Sequence, residues 1–193
     1  LEPLGIDTIS ASGLNLPEPE ETETTFTGNA KLKSIPAAKA SDLPALADDS
    51  GLCIPALDGQ PGIYSARWGG PEKDFNKAIE RIKTELEELN PHPALDAGSK
   101  IPGQARDVMS GTPAYFICVL SLAQPDGSSV EFEGRINGTL TYPSRGENGF
   151  GYDPIFIPEG ETRTFGEMSQ IEKNKRNHRA DAFKKFVEFL ESN

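Results

Sequence analysis

Leu43-Pro44-Ala45-Leu46-Ala47-Asp48-Asp49-Ser50-Gly51 decides how this chain is read. The apolar run predicts a buried strand, and the two carboxylates, the hydroxyl and the glycine predict its abrupt end. Open α/β sheets hold ligands just beyond the carboxyl ends of their strands, so acidic chemistry is expected here. Successive side chains of a strand point to opposite faces; one carboxylate would face a site while its neighbour braces the turn. Taken alone, Asp-Asp-Ser-Gly reads better as an ordinary turn or cap. The segments that accompany it change that balance.

The 193 residues suffice for one domain, 1–193, with a proper core. At 36% hydrophobic and 25% charged the chain is globular in composition rather than disordered. It has no apolar run near the ~20 residues that span a bilayer and no signal-peptide pattern, so a soluble, cytoplasmic protein is expected. A net charge of -11 argues against binding nucleic-acid backbone, which calls for a basic footprint. A small phosphate-bearing ligand needs only a local basic cluster. Cys53 and Cys118 sit in apolar runs without metal-type spacing and read as reduced core residues.

Upstream of the opening stretch, Leu4, Ile6 and Ile9 form a candidate edge strand. Thr24 or Thr25 then caps a helix to about Ala40, with Pro36 expected to kink it. Downstream, Leu52–Leu57 reads as a strand whose proline places it at an edge or a bulge. A helix from Asp74 to about Leu89 presents Phe75, Ile79, Ile82, Leu86 and Leu89 on one face. Residues 90–113, rich in Pro, Gly and Ala, form a long loop in which His92 stands without a role. Ala114–Leu122 should be the central buried strand, turned by Pro125–Ser128 into Val130–Ile136, with Thr139–Tyr142 extending the sheet and Ile155–Ile157 following. Ser169–Glu172 is a capping box, and a last helix runs from Asn177, its cap, to about Glu191.

Four features carry chemistry together. The first is Asp48-Asp49-Ser50-Gly51, and the second is Asn29–Lys33 on the preceding helix, where Lys33 could reach a phosphate. The third is Gly149-Phe150-Gly151-Tyr152-Asp153-Pro154: glycines flanking an aromatic let backbone pass close to a flat ligand, and Phe150 could stack on a base. The fourth, Glu172–Arg179, is the strongest basic cluster of an acidic chain. His178 and Arg179 would sit in the first turn of the last helix, where positive charge opposes the macrodipole and favours an anionic or acceptor-rich ligand.

Leu43–Leu52, Pro61–Arg67, Gly149–Pro154 and the Glu172–Arg179 segment, in this order, resemble the inosine/xanthosine triphosphate pyrophosphatases over nearly the whole chain. The resemblance implies an elongated α/β fold, its mixed central sheet flanked by helices, with two lobes around a nucleotide cleft. It implies a homodimer, Mg2+ dependence, and hydrolysis of deaminated purine nucleoside triphosphates (ITP, dITP, XTP) to monophosphate and pyrophosphate. By the same resemblance Asp49 is proton acceptor and metal ligand and Ser50 a substrate contact, and Asp48 is expected as a second metal ligand beside Asp49. Phe150, Gly151, Tyr152 and Asp153 embrace the nucleotide, Lys173 binds substrate, and His178 and Arg179 read the base.

Two departures from that pattern stand out. The family's opening strand and Ser/Thr-Gly-Asn-x-x-Lys phosphate loop have no counterpart, which predicts a sequence incomplete at its N-terminus. A metal-binding glutamate often precedes the Asn-Ala of the next helix, and here that position is Gly28. The alternative function is therefore a nucleotide-binding dimeric protein impaired in catalysis. A kinase or GTPase is disfavoured, since no Gly-x-x-x-x-Gly-Lys-Ser/Thr loop occurs.

Overall fold

The computed structural model describes residues 5–89 and 108–192. Its class is α/β. Four strands hydrogen-bond in the order β1 (Ala45–Cys53), β2 (Pro113–Ala123), β3 (Ser129–Leu140) and β4 (Phe156–Pro158). The helices are α1 (Phe26–Ser41), α2 (Phe75–Leu89), α3 (Gln170–Asn174) and α4 (His178–Ser192). Contacts gather into two compact units: Leu1–Asp49 with Cys118–Gly134 and Ala182–Asn193, and Ser50–Ile117 with Arg135–Asp181. No helix among the described residues is long and apolar enough to cross a membrane.

In the first unit, Thr25 opens α1 by accepting the Gly28 N–H on its hydroxyl at 3.0 Å. The buried positions of α1 are Asn29, Ala30, Ser34 and Ala38, a stripe at helical spacing that is half polar. Those polar groups are paired: Ser34 Oγ lies 2.8 Å from Ser121 Oγ, inside the unit. Phe132 of β3 packs edge-on against Phe186 of α4 at 5.6 Å. The turn between β2 and β3 is built by Asp126, whose carboxylate accepts the Ser128 N–H at 2.8 Å, and closed by Gln124 N–H to Ser128 O at 2.8 Å. Two hydrogen-bonded strands joined by so short a connection run antiparallel.

The second unit holds the larger apolar core. Ile79, Ile82 and Leu86 of α2 are buried against it, as the periodicity predicts, with Leu52, Ile54, Phe156 and Phe165, whereas Leu89, expected on the same face, is 56% exposed at the last residue of the helix. At the antiparallel β3–β4 pairing, Gly138 faces Pro158, and any side chain there would overlap the Ile157 carbonyl and the Phe156 ring. Glycine is required by that approach of backbones. Cys53 and Cys118 are both buried and form no disulfide.

Three expectations need correction. β1 does not end at the carboxylates: it runs through Asp48-Asp49-Ser50-Gly51 to Cys53, and its buried end is the distal one. Leu43 and Leu46, expected inside, are 49% and 36% exposed. An apolar run marks a strand without saying which of its ends is covered. The strand expected over Leu52–Leu57 stops at Cys53, because Pro55 opens a 3-10 turn that Asp58 closes at φ 52. The edge strand near the start is not formed by the described residues 5–10, and Ile6 and Ile9 are exposed. Two isolated apolar residues do not recruit a partner strand. Of the long loop, residues 90–107, with His92, lie outside the described residues, as does Leu4.

Candidate active site

In the first unit, Asn29 and Lys33 stand four residues apart on α1 and so share a face. Asn29 is fully buried; its Nδ2 donates to Asp49 Oδ2 at 3.1 Å, and its Oδ1 accepts the Glu23 N–H at 3.1 Å. Lys33 Nζ donates to the Asp48 carbonyl at 3.0 Å and lies 3.5 Å from Asp49 Oδ1 and 2.5 Å from Glu21 Oε1. One ammonium thus stands beside two carboxylates. Burial pushes Asp49 above its ordinary carboxylate value, against the opposing effects of the Asn29 bond and the Lys33 charge. Burial also works against the Lys33 charge, but the Glu21 bond and the charges of Asp49, Glu21 and Asp48 outweigh it, and its pKa is raised.

The pleat treats the paired acids differently. Asp49 is buried and Asp48 is exposed, in a pattern that alternates along this part of β1. The hydrogen bond from Lys33 goes to the main-chain carbonyl of Asp48, whose side-chain charge acts on the ammonium through space. Gly28 is walled in as well: a Cβ there would stand 2.7 Å from Glu23 Cβ.

In the second unit a pocket of about 140 Å3 opens among three pieces of chain, Ser50–Leu52, Ser65–Ala66 and Phe150–Asp153, with α3 and the start of α4. Gly149, at φ 79, leads into the third piece, and a side chain on it would overlap the Asp153 carboxylate. Asp153 Oδ2 accepts the Phe150 N–H at 2.8 Å and pairs with Lys173 Nζ; both of these side chains are 5% exposed. Lys173 comes from α3, opened by the predicted capping box, in which Ser169 and Glu172 satisfy each other's backbone N–H groups.

Phe150 is 61% exposed, with Lys173 Nζ 4.7 Å and the Arg179 guanidinium 5.7 Å from its ring centre. Tyr152 turns inward: its hydroxyl donates to the Ser65 carbonyl at 2.9 Å, and burial pushes its phenol well above the usual range. Ser65 Oγ in turn accepts the Leu52 N–H at 2.9 Å and donates to the Gly62 carbonyl at 2.6 Å, tying two lining pieces together.

Asn177 caps α4 as expected, its Oδ1 accepting the Ala180 N–H at 2.8 Å. His178 follows, buried and stacked on Phe116 at 5.0 Å and 12°, with no hydrogen-bond partner for Nδ1 among the described residues. Burial, then the charges of Arg179 and Lys173, lower its pKa from 6.5 to about 3. The imidazole is therefore neutral near pH 7. Between pH 6.5 and about 3 the unfolded chain takes a proton that the folded chain refuses. His178's contribution is present above that window and is lost as pH falls through it. The melting temperature of the parent should thus fall more steeply below pH 6.5 than that of His178→Gln in scanning calorimetry; parallel curves would show that the ring titrates freely when folded.

Of the residues singled out in the sequence, Asp49 and Lys33 meet in the first unit, with Asp48 present through its backbone. Ser50, Phe150, Gly151, Tyr152, Asp153, Lys173, His178 and Arg179 line the pocket of the second. The sequence reading missed Asn29 as a partner of Asp49, Glu21 as a partner of Lys33, Phe116 beneath His178, and Ser65. Asn29 left one usable signal, an amide in the middle of a helix's inner stripe.

No group of three or more His, Cys, Asp or Glu side chains among the described residues is placed to hold a metal. Asp49 on its own fits as one ligand of a hard divalent cation. Mg2+-type ions take one or two protein carboxylates and complete their shell with water and phosphate oxygens. Each Asp49 oxygen meets one donor, Asn29 or Lys33, which leaves lone-pair capacity.

Fold and pocket together define an α/β protein whose second unit offers an exposed aromatic face among cationic side chains, a recess suited to a flat, acceptor-rich ligand. The model of the Ham1 family matches residues 2–189. The dITP/XTP pyrophosphatase of Gluconobacter oxydans is 51% identical over 183 residues, 95% of this chain and 78% of that protein. The dITP/XTP pyrophosphatase of Rhodospirillum centenum is 53% identical over 178 residues, 92% and 79% of the two chains. Among solved structures, a HAM1 protein from Coxiella burnetii superposes with a TM-score of 0.84 at 34% identity, covering 100% of this chain and 90% of that one. The Staphylococcus aureus Ham1 protein gives 0.77 at 37%, with 94% and 84% covered. The chain belongs to the Ham1 family.

Proposed function

We propose that this protein hydrolyses deaminated purine nucleoside triphosphates, ITP, dITP and XTP, to the monophosphate and pyrophosphate, clearing them from the nucleotide pool. The observation that carries the reading is the pocket itself: the open Phe150 face beside the donors His178, Arg179 and Lys173. The dITP/XTP pyrophosphatase names of the relatives support it. Its partners are the nucleotide and a second copy of the chain, in the cytoplasm. The family likeness supports the homodimer, the sequence without an apolar span or signal-peptide pattern supports the location, and the net charge of -11 keeps nucleic acid out of the reading.

The base stacks on Phe150 while Arg179 and neutral His178 donate to the six-oxygen of the ring. Asp49 takes the proton of the attacking water, a contribution of ~10²–10⁴-fold for a positioned base. Its pKa, raised by burial, makes it a better proton acceptor than a surface aspartate. Asn29 holds one of its oxygens and fixes the direction of the other. Lys33 and Lys173 supply positive charge to the phosphates. Asp49 would hold Mg2+, which when bound neutralises phosphate charge and polarises the phosphorus.

Gly28 favours a second reading, a protein that binds the nucleotide and turns it over poorly, because glycine offers no carboxylate to a metal at that position. Identification of what is formed from ITP tests both.

A further inference from the structure

Asp153 is 3% exposed, and both of its charged-group partners are already inside the protein. A single oxygen, Oδ2, receives the Phe150 N–H and the Lys173 ammonium. Gly149 lies so close against that carboxylate that no side chain could replace its hydrogen. Phe150, by contrast, is 61% exposed, and few neighbours can hold its ring in place by packing. What fixes it is the backbone bond to Asp153 and the cation of Lys173 4.7 Å from the ring. Lys173, at 4% exposed, is paired in the pocket wall with the Asp153 carboxylate.

We propose that Asp153 is a positioning residue, whose carboxylate sets the Phe150 face and the Lys173 ammonium for the nucleotide and does not itself touch the base. This rests on the nucleotide reading above. It follows that the charge of Asp153 matters only through Lys173, while its acceptor oxygen matters through Phe150. Asparagine separates the two, since it can still accept the Phe150 N–H but carries no charge.

The test is a double-mutant cycle of Asp153→Asn and Lys173→Gln, read by calorimetric binding of inosine 5′-monophosphate and by KM and kcat for ITP, with thermal unfolding as a check of fold. Asp153→Asn should weaken nucleotide binding and raise KM by ~10-fold or more, with kcat within ~3-fold of the parent, the split expected when binding alone is lost. In the Lys173→Gln background the same substitution should cost less than ~3-fold, the non-additivity of residues acting through one contact. Equal losses in both backgrounds would mean that Asp153 contacts the base directly and would overturn the proposal. A lower melting temperature with unchanged affinity would reduce Asp153 to a structural residue and do the same. Should Asp153→Asn alone fail to fold because it strands a buried ammonium, Lys173→Gln and the double variant still decide, since neither buries a lone cation. Similar affinity of those two supports the proposal, and ~10-fold weaker binding by the double variant contradicts it. A parent that binds inosine 5′-monophosphate but leaves ITP intact would sink the catalytic reading alone, and calorimetry would still test Asp153.

Discussion

Asp49→Asn lowers kcat for ITP by ~10²-fold or more while the protein stays folded, if this carboxylate is the base. The substitution keeps size and leaves an acceptor for the Asn29 amide, which now donates to Asp49 Oδ2 at 3.1 Å. Lys33 loses one partner of three and keeps Glu21 and the Asp48 carbonyl. Burial already works against the Asp49 charge, so removing it should not cost stability. The fold therefore survives, and what disappears is the ability to take a proton. Asp48→Asn is the matched control: that side chain is exposed on the other face of β1. It should stay within a few-fold of the parent. A larger loss from Asp48→Asn than from Asp49→Asn would show that the roles of the two acids are reversed.

Arg179→Ala should collapse the preference for ITP over ATP. Arginine can only donate hydrogen bonds, and inosine presents an oxygen where adenosine presents an amino group. His178, neutral because burial lowers its pKa to about 3, adds one N–H. Against ITP these donors are satisfied; against ATP donor meets donor, and groups taken out of water stay unpaired. A site built on such mismatch can discriminate by ~10⁴-fold, beyond what shape alone provides. The guanidinium stands 5.7 Å from the Phe150 ring centre, where an adjoining base edge would pass. Its position in the first turn of α4 opposes the helix dipole, a cost compensated when an acceptor-rich ligand binds. The expected result is a loss in kcat/KM of ~10²-fold for ITP and far less for ATP, the size of a charge-assisted bond removed without a substitute. If both substrates lose equally and the ratio stands, Arg179 serves the phosphates or the fold.

Much of the fold was legible because strong local signals agreed with burial. The N-cap at Thr25, the capping box at Ser169 and the cap at Asn177 are local hydrogen-bond choices, and each forms where the sequence places it. The inner face of α2 followed from periodicity, and the inner strand β2 from a nearly unbroken apolar run. The opening stretch was harder. Its carboxylates looked like a strand end because Asp, Ser and Gly favour turns, but Asn29 satisfies Asp49 within a continuing strand. That bond joins residues twenty apart in sequence, and no local rule contains it. For the same reason the pocket motifs were visible as Gly-aromatic and basic runs, whereas Phe116 and Ser65 were not. Phe116 is one more apolar residue of an apolar strand, and only tertiary structure sets it beneath His178. Ser65 acts through backbone groups, which carry no residue signature.

The central claim, cleavage of deaminated purine triphosphates to monophosphate and pyrophosphate, is tested most directly by the products formed from ITP with Mg2+ present. Phosphorus NMR resolves the two outcomes in one sample. Inosine monophosphate and pyrophosphate appearing in equal amounts, with no orthophosphate, is the predicted result. Inosine diphosphate with orthophosphate, or no turnover of bound ITP, would contradict it.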